Sequence, residues 1–270
     1  MPELPEVENI RLTISPRLLG RKIAGIEIYI GRVIKWPAVE DFAQGLSGST
    51  ITGISRRGKY LIFNLDNQRF LVVHLRMTGA LIISPEQPPY SRIKFALSDG
   101  GCLWYTDVRT LGTLHLLNQG ENIIKGLQTL GPEPFRGQLK RQYFAAALKN
   151  RAGSVKGVLL DQSVIAGVGN IYADEALALA GIRPDRPASG INAREITKLH
   201  QAVIKVIEQG IADRGTSFRD YKDGDGQPGE HQKHLMVYGR HGQHCRNCGN
   251  TLAYKKISGR GTTYCPSCQQ

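Results

Sequence analysis

This chain of 270 residues has few long apolar runs, few acids for its number of bases, and almost no cysteine before its final stretch. No uninterrupted apolar run approaches about 18 residues, which excludes a transmembrane helix. No basic patch followed by an apolar segment opens the chain, so no secretory leader is expected, and a cytoplasmic location follows by default. Asp and Glu number 23 against 35 Lys and Arg, a formal charge of +12 with a pI near 9.6. That imbalance points to a polyanionic partner, with nucleic acid ahead of an acidic membrane surface. No basic amphipathic helix stands out, which favours nucleic acid. Internal repeats are absent too. Of the five cysteines, Cys102 stands alone and is expected as a small buried residue in a strand, whereas the other four all lie from Cys245 onward.

The length and a hydrophobic content of 41% suit two domains with separate cores. Residues 5 to about 15 read as a helix. Pro5 suits its first position, Glu6 and Glu8 its first turn, and Val7, Ile10 and Ile14 its buried face, while Pro16 and Gly20 mark its end. Pro2 precedes the helix and has no such explanation. From about 22 to 117 the period changes to two. Ile26–Ile30, Tyr60–Leu65, Phe70–Leu75 and Ile93–Leu97 are short runs with Gly, Asn and Asp between them. Strands without intervening helices predict an antiparallel sandwich or barrel. Gly131-Pro-Glu-Pro134 reads as a linker or domain entry, after which helices are expected over 142–149, 154–160, 170–180 and 193–209. The stretch from about 215 to 233, rich in Gly, Asp and Lys, is expected to be a mobile loop.

The strongest chemical signal is Cys245-x₂-Cys248, sixteen residues, then Cys265-x₂-Cys268. Two such pairs fit a tetrahedral zinc site closing a ribbon, and four thiolates leave no open position for catalysis. Lys255, Lys256 and Arg260 fall on or near the turn of the hairpin between the pairs, where they are either a nucleic-acid probe or a solvated face. Gly167-Val-Gly-Asn170 opens a helix after a double turn. Its glycines either admit a phosphate or serve packing. Ser55-Arg-Arg-Gly-Lys-Tyr60 is a basic turn between strands.

Taken in order, Pro2-Glu3-Leu-Pro-Glu6, Arg56-Arg-Gly-Lys59-Tyr-Leu, His74-Leu-Arg-Met77, Asp107-Val-Arg109, Gly131-Pro-Glu-Pro134, Gly167-Val-Gly-Asn170-Ile-Tyr and the four-cysteine ribbon closely resemble the bacterial formamidopyrimidine-DNA glycosylase family, from residue 2 to about 268. The resemblance implies an α+β multidomain fold. An N-terminal helix with an antiparallel β-sandwich would span 1–130. A helical helix–two-turn–helix domain with a lesion-capping loop would span 131–234, and a C-terminal zinc-ribbon finger 235–270. It also implies an enzyme, a bifunctional glycosylase and abasic-site lyase of base excision repair. The substrate would be double-stranded DNA carrying oxidised purines such as 8-oxoguanine and formamidopyrimidines, or abasic sites. The protein is expected to be a monomer with one structural Zn²⁺, of bacterial type and associated with the nucleoid when bound to DNA.

By the same resemblance the nucleophile is Pro2, freed by removal of Met1, and Glu3 is the general acid/base. Glu6 is read as positioning the terminus and its helix, the alternative being a helix-start role alone. Lys59 lies beside the catalytic pocket and contacts phosphate, as does His74. Lys156 matches a residue near the damaged base, and Asn170 and Arg260 hold phosphates around the lesion. Pro2, Glu3, Lys59 and Arg260 are thus expected at the reaction, and His74, Arg109, Lys156 and Asn170 at the DNA. Extruding a base leaves a gap that apolar or planar side chains fill. Met77 and Arg109 match two of the family's three gap fillers; Leu111 stands where Phe is usual. On composition alone Met77 would be core and Arg109 a surface charge. Thr216, Ser217 and Tyr221 of the capping loop are candidates to touch the flipped base. A sister family acting on oxidised pyrimidines usually has Gly at the position of Leu4, so the purine branch is favoured. A non-catalytic protein that grips damaged DNA is the remaining reading, and retained Met1 would produce it.

Overall fold

The structure, a computed structural model, describes residues 2–218 and 221–270. It divides into two compact units, Met1–Gln128 with Asp213–Gln232, and Thr129–Ala212 with Lys233–Gln270.

The first unit opens with α1 (Leu4–Leu18). Glu3 is its N-cap and forms a reciprocal capping box with Glu6, whose carboxylate accepts the Glu3 N–H at 2.8 Å. Pro5 therefore sits one place further in than the sequence predicts, still among the groups that need no intrahelical partner. The helix also runs past Pro16, which lies in its last turn. Val7, Ile10, Ile14 and Leu18 are fully buried.

Nine strands follow: β1 (Ile23–Ile28), β2 (Ile34–Trp36), β3 (Ile51–Arg57), β4 (Tyr60–Leu65), β5 (Arg69–His74), β6 (Gly79–Ile83), β7 (Ser91–Leu97), β8 (Cys102–Asp107) and β9 (Thr113–Asn118). They form a four-stranded sheet, β1-β7-β8-β6, and a five-stranded sheet, β2-β9-β5-β4-β3. Alternation decides which face is buried: Leu61, Phe63 and Leu65 of β4 and Ile93, Phe95 and Leu97 of β7 point into one core, closed by α1. The two sheets stay separate, so the fold is a sandwich and not a barrel.

Two expectations need correction. A helix, α2 (Val39–Leu46), interrupts the strand series, and β2 pairs with β9 in parallel. Val39, Phe42, Ala43 and Leu46 do fall at helical spacing, but eight residues make only two turns, too short a run to stand out among strands. Cys102 is in a strand but only half-buried. A short α3 (Lys125–Gln128) ends the run.

The second unit is helical: α4 (Arg141–Lys149), α5 (Val155–Leu160), α6 (Asn170–Ala180) and α7 (Ala193–Ala212). Every residue of α6 from Ile171 to Leu177 is buried, so this helix is the centre of the unit. The two strands β10 (Ala253–Ile257) and β11 (Arg260–Tyr264) form an antiparallel hairpin. Its turn residues Ser258 and Gly259 both have positive φ, 48° and 74°, as a two-residue turn matched to strand twist requires. Among the described residues no helix is long and apolar enough to cross a membrane.

Glu8, expected to serve the helix dipole, instead accepts hydrogen bonds from Arg11 (2.6 Å) and Arg56 (2.8 Å), linking α1 to β3. Burial raises its pKa, but the bonds and charges of the two arginines outweigh that and hold it below the ordinary value. A depressed carboxyl contributes stability above its unfolded pKa of about 4.3 and loses it as pH falls through the folded value. Glu8→Gln should therefore cost about 1–2 kcal/mol at pH 7. Urea unfolding should show the wild-type and variant curves converging as the pH drops below that range.

Candidate active site and zinc centre

In the first unit one end of the sandwich collects most of the expected site. The β3–β4 turn holds Gly58 and Lys59, and the register places Tyr60 opposite His74 and His74 opposite Thr113. Gly79 opposite Asp107 starts β6 and ends β8 at this end of the other sheet. Gly58 has φ 56°, the left-handed first position of a tight hairpin that glycine adopts without a steric cost. The Arg56 guanidinium donates to the Gly58 carbonyl at 3.0 Å while it holds Glu8. One arginine thus fixes both the Lys59 turn and the first half of α1.

Pro2 and Glu3 are buried just ahead of α1. The Glu6 carboxylate, 1% exposed, takes one backbone N–H on each oxygen: Glu3 at 2.8 Å and Thr216 at 2.7 Å. The Tyr221 hydroxyl donates to the Glu6 carbonyl at 3.3 Å. Burial, then the Glu6 and Asp223 carboxylates, push the Tyr221 phenol up, so it remains a donor. The sequence left Glu6 between helix start and positioning; the geometry does both, tying the terminus to the 213–232 segment.

That segment was expected to be a mobile loop. Its described residues are pinned instead. Ser217 donates to the Tyr221 carbonyl and accepts from Gly229, Gly224 donates to Thr13, and His231 pairs with Asp213 at 2.8 Å. Thr216, Ser217 and Tyr221 thus have partners within their own unit. Arg219 and Asp220, in the same stretch, lie outside the described residues, as does Met1.

His74 is buried, and its Nδ1 accepts the Arg76 N–H at 3.1 Å. The remaining proton therefore sits on Nε2, which becomes a donor. Burial and the charges of Arg76 and Lys59 push its pKa down to about 3, so the ring stays neutral at physiological pH. Lys59 is itself buried, at 6% exposure. Met77, Arg109 and Leu111 project from the 75–79 and 108–112 loops, and all three are exposed. Met77 at 40% and Leu111 at 46% exposure are not core residues, contrary to what composition alone suggests for Met77.

In the second unit the double turn between α5 and α6 is built by two side chains. Asp161 accepts from the Ser163 N–H and hydroxyl, and Gln162 accepts from Gly167 and donates to the Leu160 and Val168 carbonyls. This shape leaves Asn170 at the start of α6, at the positive end of the helix dipole. The Asn170 amide donates to the Gly261 carbonyl at 3.0 Å, and Arg260 beside it on the hairpin is exposed.

Lys156 requires a correction. It is fully buried, and its ammonium meets Asp174 at 2.6 Å, Thr262 at 2.6 Å and the Gly261 carbonyl at 3.3 Å. A group with no exposure does not reach a base; it holds the hairpin from behind. Burial pushes the Asp174 carboxyl up, against the pull of Lys156. Glu175 completes the attachment by accepting the N–H groups of Met236, Val237 and Tyr238 at 2.7, 2.9 and 2.8 Å. The sequence reading passed over Asp174 and Glu175. Two acids within an otherwise apolar, alanine-rich helix were the available signal, because buried carboxylates need partners.

The four cysteines converge. Their sulfurs lie within 4.8 Å of one another, with Cys245···Cys268 at 4.0 Å and Cys248···Cys265 at 3.5 Å. Zinc–thiolate bonds of about 2.3 Å in a tetrahedron give sulfur–sulfur edges of about 3.8 Å, against about 2.0 Å in a disulfide. The donor set therefore fits one structural Zn²⁺. Backbone N–H groups of Asn247 and Cys268 point at the Cys245 and Cys265 sulfurs, each at 3.4 Å, as thiolate ligands require.

Replacing Lys156 by Met strands Asp174 in the core. Since that carboxyl can take up a proton, the expected loss is about 3 kcal/mol, the lower end for a broken buried pair. Urea denaturation should show this loss, and adding Asp174→Leu should recover most of it.

Three family models match most of the chain. The formamidopyrimidine-DNA glycosylase N-terminal domain matches residues 1–114, its H2TH domain matches 130–222, and the zinc finger found in FPG and IleRS matches 242–270. Among curated relatives, the formamidopyrimidine-DNA glycosylase of Moorella thermoacetica is 48% identical over 93% of both chains. That of Pelotomaculum thermopropionicum is 43% identical over all of this chain and 99% of its own. A mutant Lactococcus lactis FPG, solved in complex with Fapy-dG DNA, superposes with a TM-score of 0.93 at 36% identity over the full length of both chains. The same relative has been solved with abasic-site DNA, with 99% of both chains covered at 36% identity and a TM-score of 0.93. The chain belongs to the formamidopyrimidine-DNA glycosylase family, whose members are glycosylases and abasic-site lyases.

Proposed function

We propose that this protein excises oxidised purines, 8-oxoguanine and formamidopyrimidines, from double-stranded DNA and cleaves the strand through an imine on Pro2. The observation that carries the reading is the built terminus. Pro2 and Glu3 precede α1, and Glu6 fixes both the cap and the following segment through backbone N–H groups. Helix formation alone needs neither Pro2 nor this second tie.

The chemistry asks for a free amine, and an α-amino group titrates at about 7.7–8.0, against about 10.4 for lysine. The Pro2 nitrogen bonds to C1′ as the bond to the base breaks, and the base leaves with a proton. Loss of the nitrogen's proton and opening of the sugar ring give an iminium. The iminium acidifies C2′, whose proton leaves as the 3′ phosphate departs; a second elimination releases the 5′ phosphate. Water then hydrolyses the imine and frees Pro2. Glu3 moves the protons, while Lys59 and the His74 Nε2–H hold phosphate. Met77, Arg109 and Leu111 fill the gap left by the extruded base. Asn170 with the α6 N-terminus, and Arg260, hold further phosphates. Lys156 is left out of the DNA contacts for the reason given above.

The functional division follows as 1–130 for the chemistry, 131–234 for the helical grip and capping segment, and 235–270 for the finger, in a cytoplasmic monomer. The four cysteines hold Zn²⁺, which shapes the finger and takes no part in the reaction. A second reading, oxidised pyrimidines, is favoured by one observation: the Lactococcus lactis enzyme has been solved with DNA containing an oxidised pyrimidine. Leu4 is fully buried at the start of α1, so it marks the purine branch through packing, not by touching a base.

Protein with Met1 removed should form a borohydride-trapped adduct with an 8-oxoguanine duplex that maps to Pro2, and Pro2→Gly should lose trapping far more than binding. No adduct, with the terminus confirmed free, sinks the purine reading, and a panel of lesion duplexes then tests the pyrimidine one. Arg260→Ala should reduce the salt dependence of DNA binding by about one phosphate, a change near 0.9 in the slope of log K against log salt. An unchanged slope removes Arg260 from the phosphate contacts.

A further inference from the structure

We propose that Asp107 is the positioning residue that sets the gap-filling side chains, an inference that rests on the lesion-extrusion reading above. Asp107 has no exposure, so it acts only through what it holds. Its Oδ1 accepts the Thr78 hydroxyl at 2.5 Å and the Arg109 N–H at 3.2 Å. Its Oδ2 accepts the Gly112 N–H at 2.8 Å and the Tyr105 hydroxyl at 3.2 Å. The Thr78 oxygen accepts the Arg109 N–H as well, at 3.0 Å, and Arg92 donates to the Asp107 carbonyl at 2.8 Å. One carboxylate therefore bridges the loop that carries Met77 to the loop that carries Arg109 and Leu111.

Two further observations point the same way. The residues immediately before the two apolar fillers, Arg76 and Thr110, have φ 55° and 51°. Non-glycine residues adopt that left-handed conformation uncommonly, and it persists where surrounding contacts impose it. Both loops also close onto the Tyr105 hydroxyl. A Cβ on Gly112 would coincide with that oxygen, and one on Gly79 would meet it at 2.9 Å and the Leu75 carbonyl at 2.5 Å. The fillers are thus exposed side chains on strained, tightly closed loops whose shared anchor is buried. A general stability role explains the burial but not why the bonds converge on these two loops.

The test uses Asp107→Asn and, as a milder change, Thr78→Val, on the full-length protein with Met1 removed. Two DNAs are compared: an 8-oxoguanine duplex with 2-aminopurine beside the lesion, and a single strand carrying an abasic site, which needs no extrusion. Expected is a fall of about 10- to 100-fold in single-turnover cleavage of the duplex. The 2-aminopurine signal should weaken and discrimination among opposite bases should flatten. Borohydride trapping on the single strand should fall by a much smaller factor. Equal losses on both DNAs, or an unchanged duplex rate and fluorescence, overturn the proposal. Failure of the functional reading would show in the wild type, as no adduct on either DNA, whereas failure of this proposal shows only in the variants.

Discussion

A buried carboxylate that accepts main-chain N–H groups from a segment distant in sequence is the interaction on which the working parts of this protein depend. Glu6 takes Glu3 on one oxygen and Thr216 on the other. Glu175 takes three successive N–H groups from Met236 to Tyr238, and Asp174 takes Thr263. Asp107 takes the nearby Arg109 and Gly112 N–H groups and reaches the distant segment through the Thr78 hydroxyl. Each acid is desolvated and would be costly alone, so the segments it binds are held tightly. The price is specificity of geometry, since a carboxylate left without its donors is worse than none.

This device explains how loops carry function here without being loose. The 213–232 segment is rich in Gly, Asp and Lys and reads as mobile, but its described part is anchored at Glu6, Thr13 and Asp213. The zinc hairpin is anchored from beneath by Lys156, Asn170, Asp174 and Glu175, all on α5 and α6. The metal shapes the finger, but its attachment to the helical unit is polar and protein-made. Asn170 and Arg260, expected at phosphates, therefore belong to one compact unit with the metal site.

Electrostatics divides the basic residues into two kinds. A charge of +12 suits a polyanionic partner, yet it does not tell which cations would meet one. Arg56 is consumed by Glu8 and the Gly58 carbonyl, and Lys156 by Asp174. His74 is neutral because burial and two neighbouring cations disfavour its charged form, so it offers a directed N–H and no charge. Arg109 and Arg260 remain exposed.

The sequence by itself determined the broad order, a helix, then strands, then helices and a ribbon, but not the helix α2 among the strands. Period two gave the strands, and Tyr60–Leu65 and Asn170–Ala180 fall where periodicity places them, because each buries a regular face or a whole helix. Cysteine spacing gave the zinc site, since ligand geometry constrains local spacing. The motif series pointed to the family. That Pro2 lies outside the helix was also legible, because helix grammar gives it no part. Only the tertiary structure decided which polar residues are buried and who their partners are. Lys156 and Arg260 look alike as basic residues, and nothing local tells that one faces Asp174 and the other solvent. Asp107, quoted in a motif for the arginine two places on, proved to be the anchor of two loops. Such pairings join residues tens to hundreds of positions apart, as Glu6 with Thr216 does, and they exist only once the core has brought those segments together.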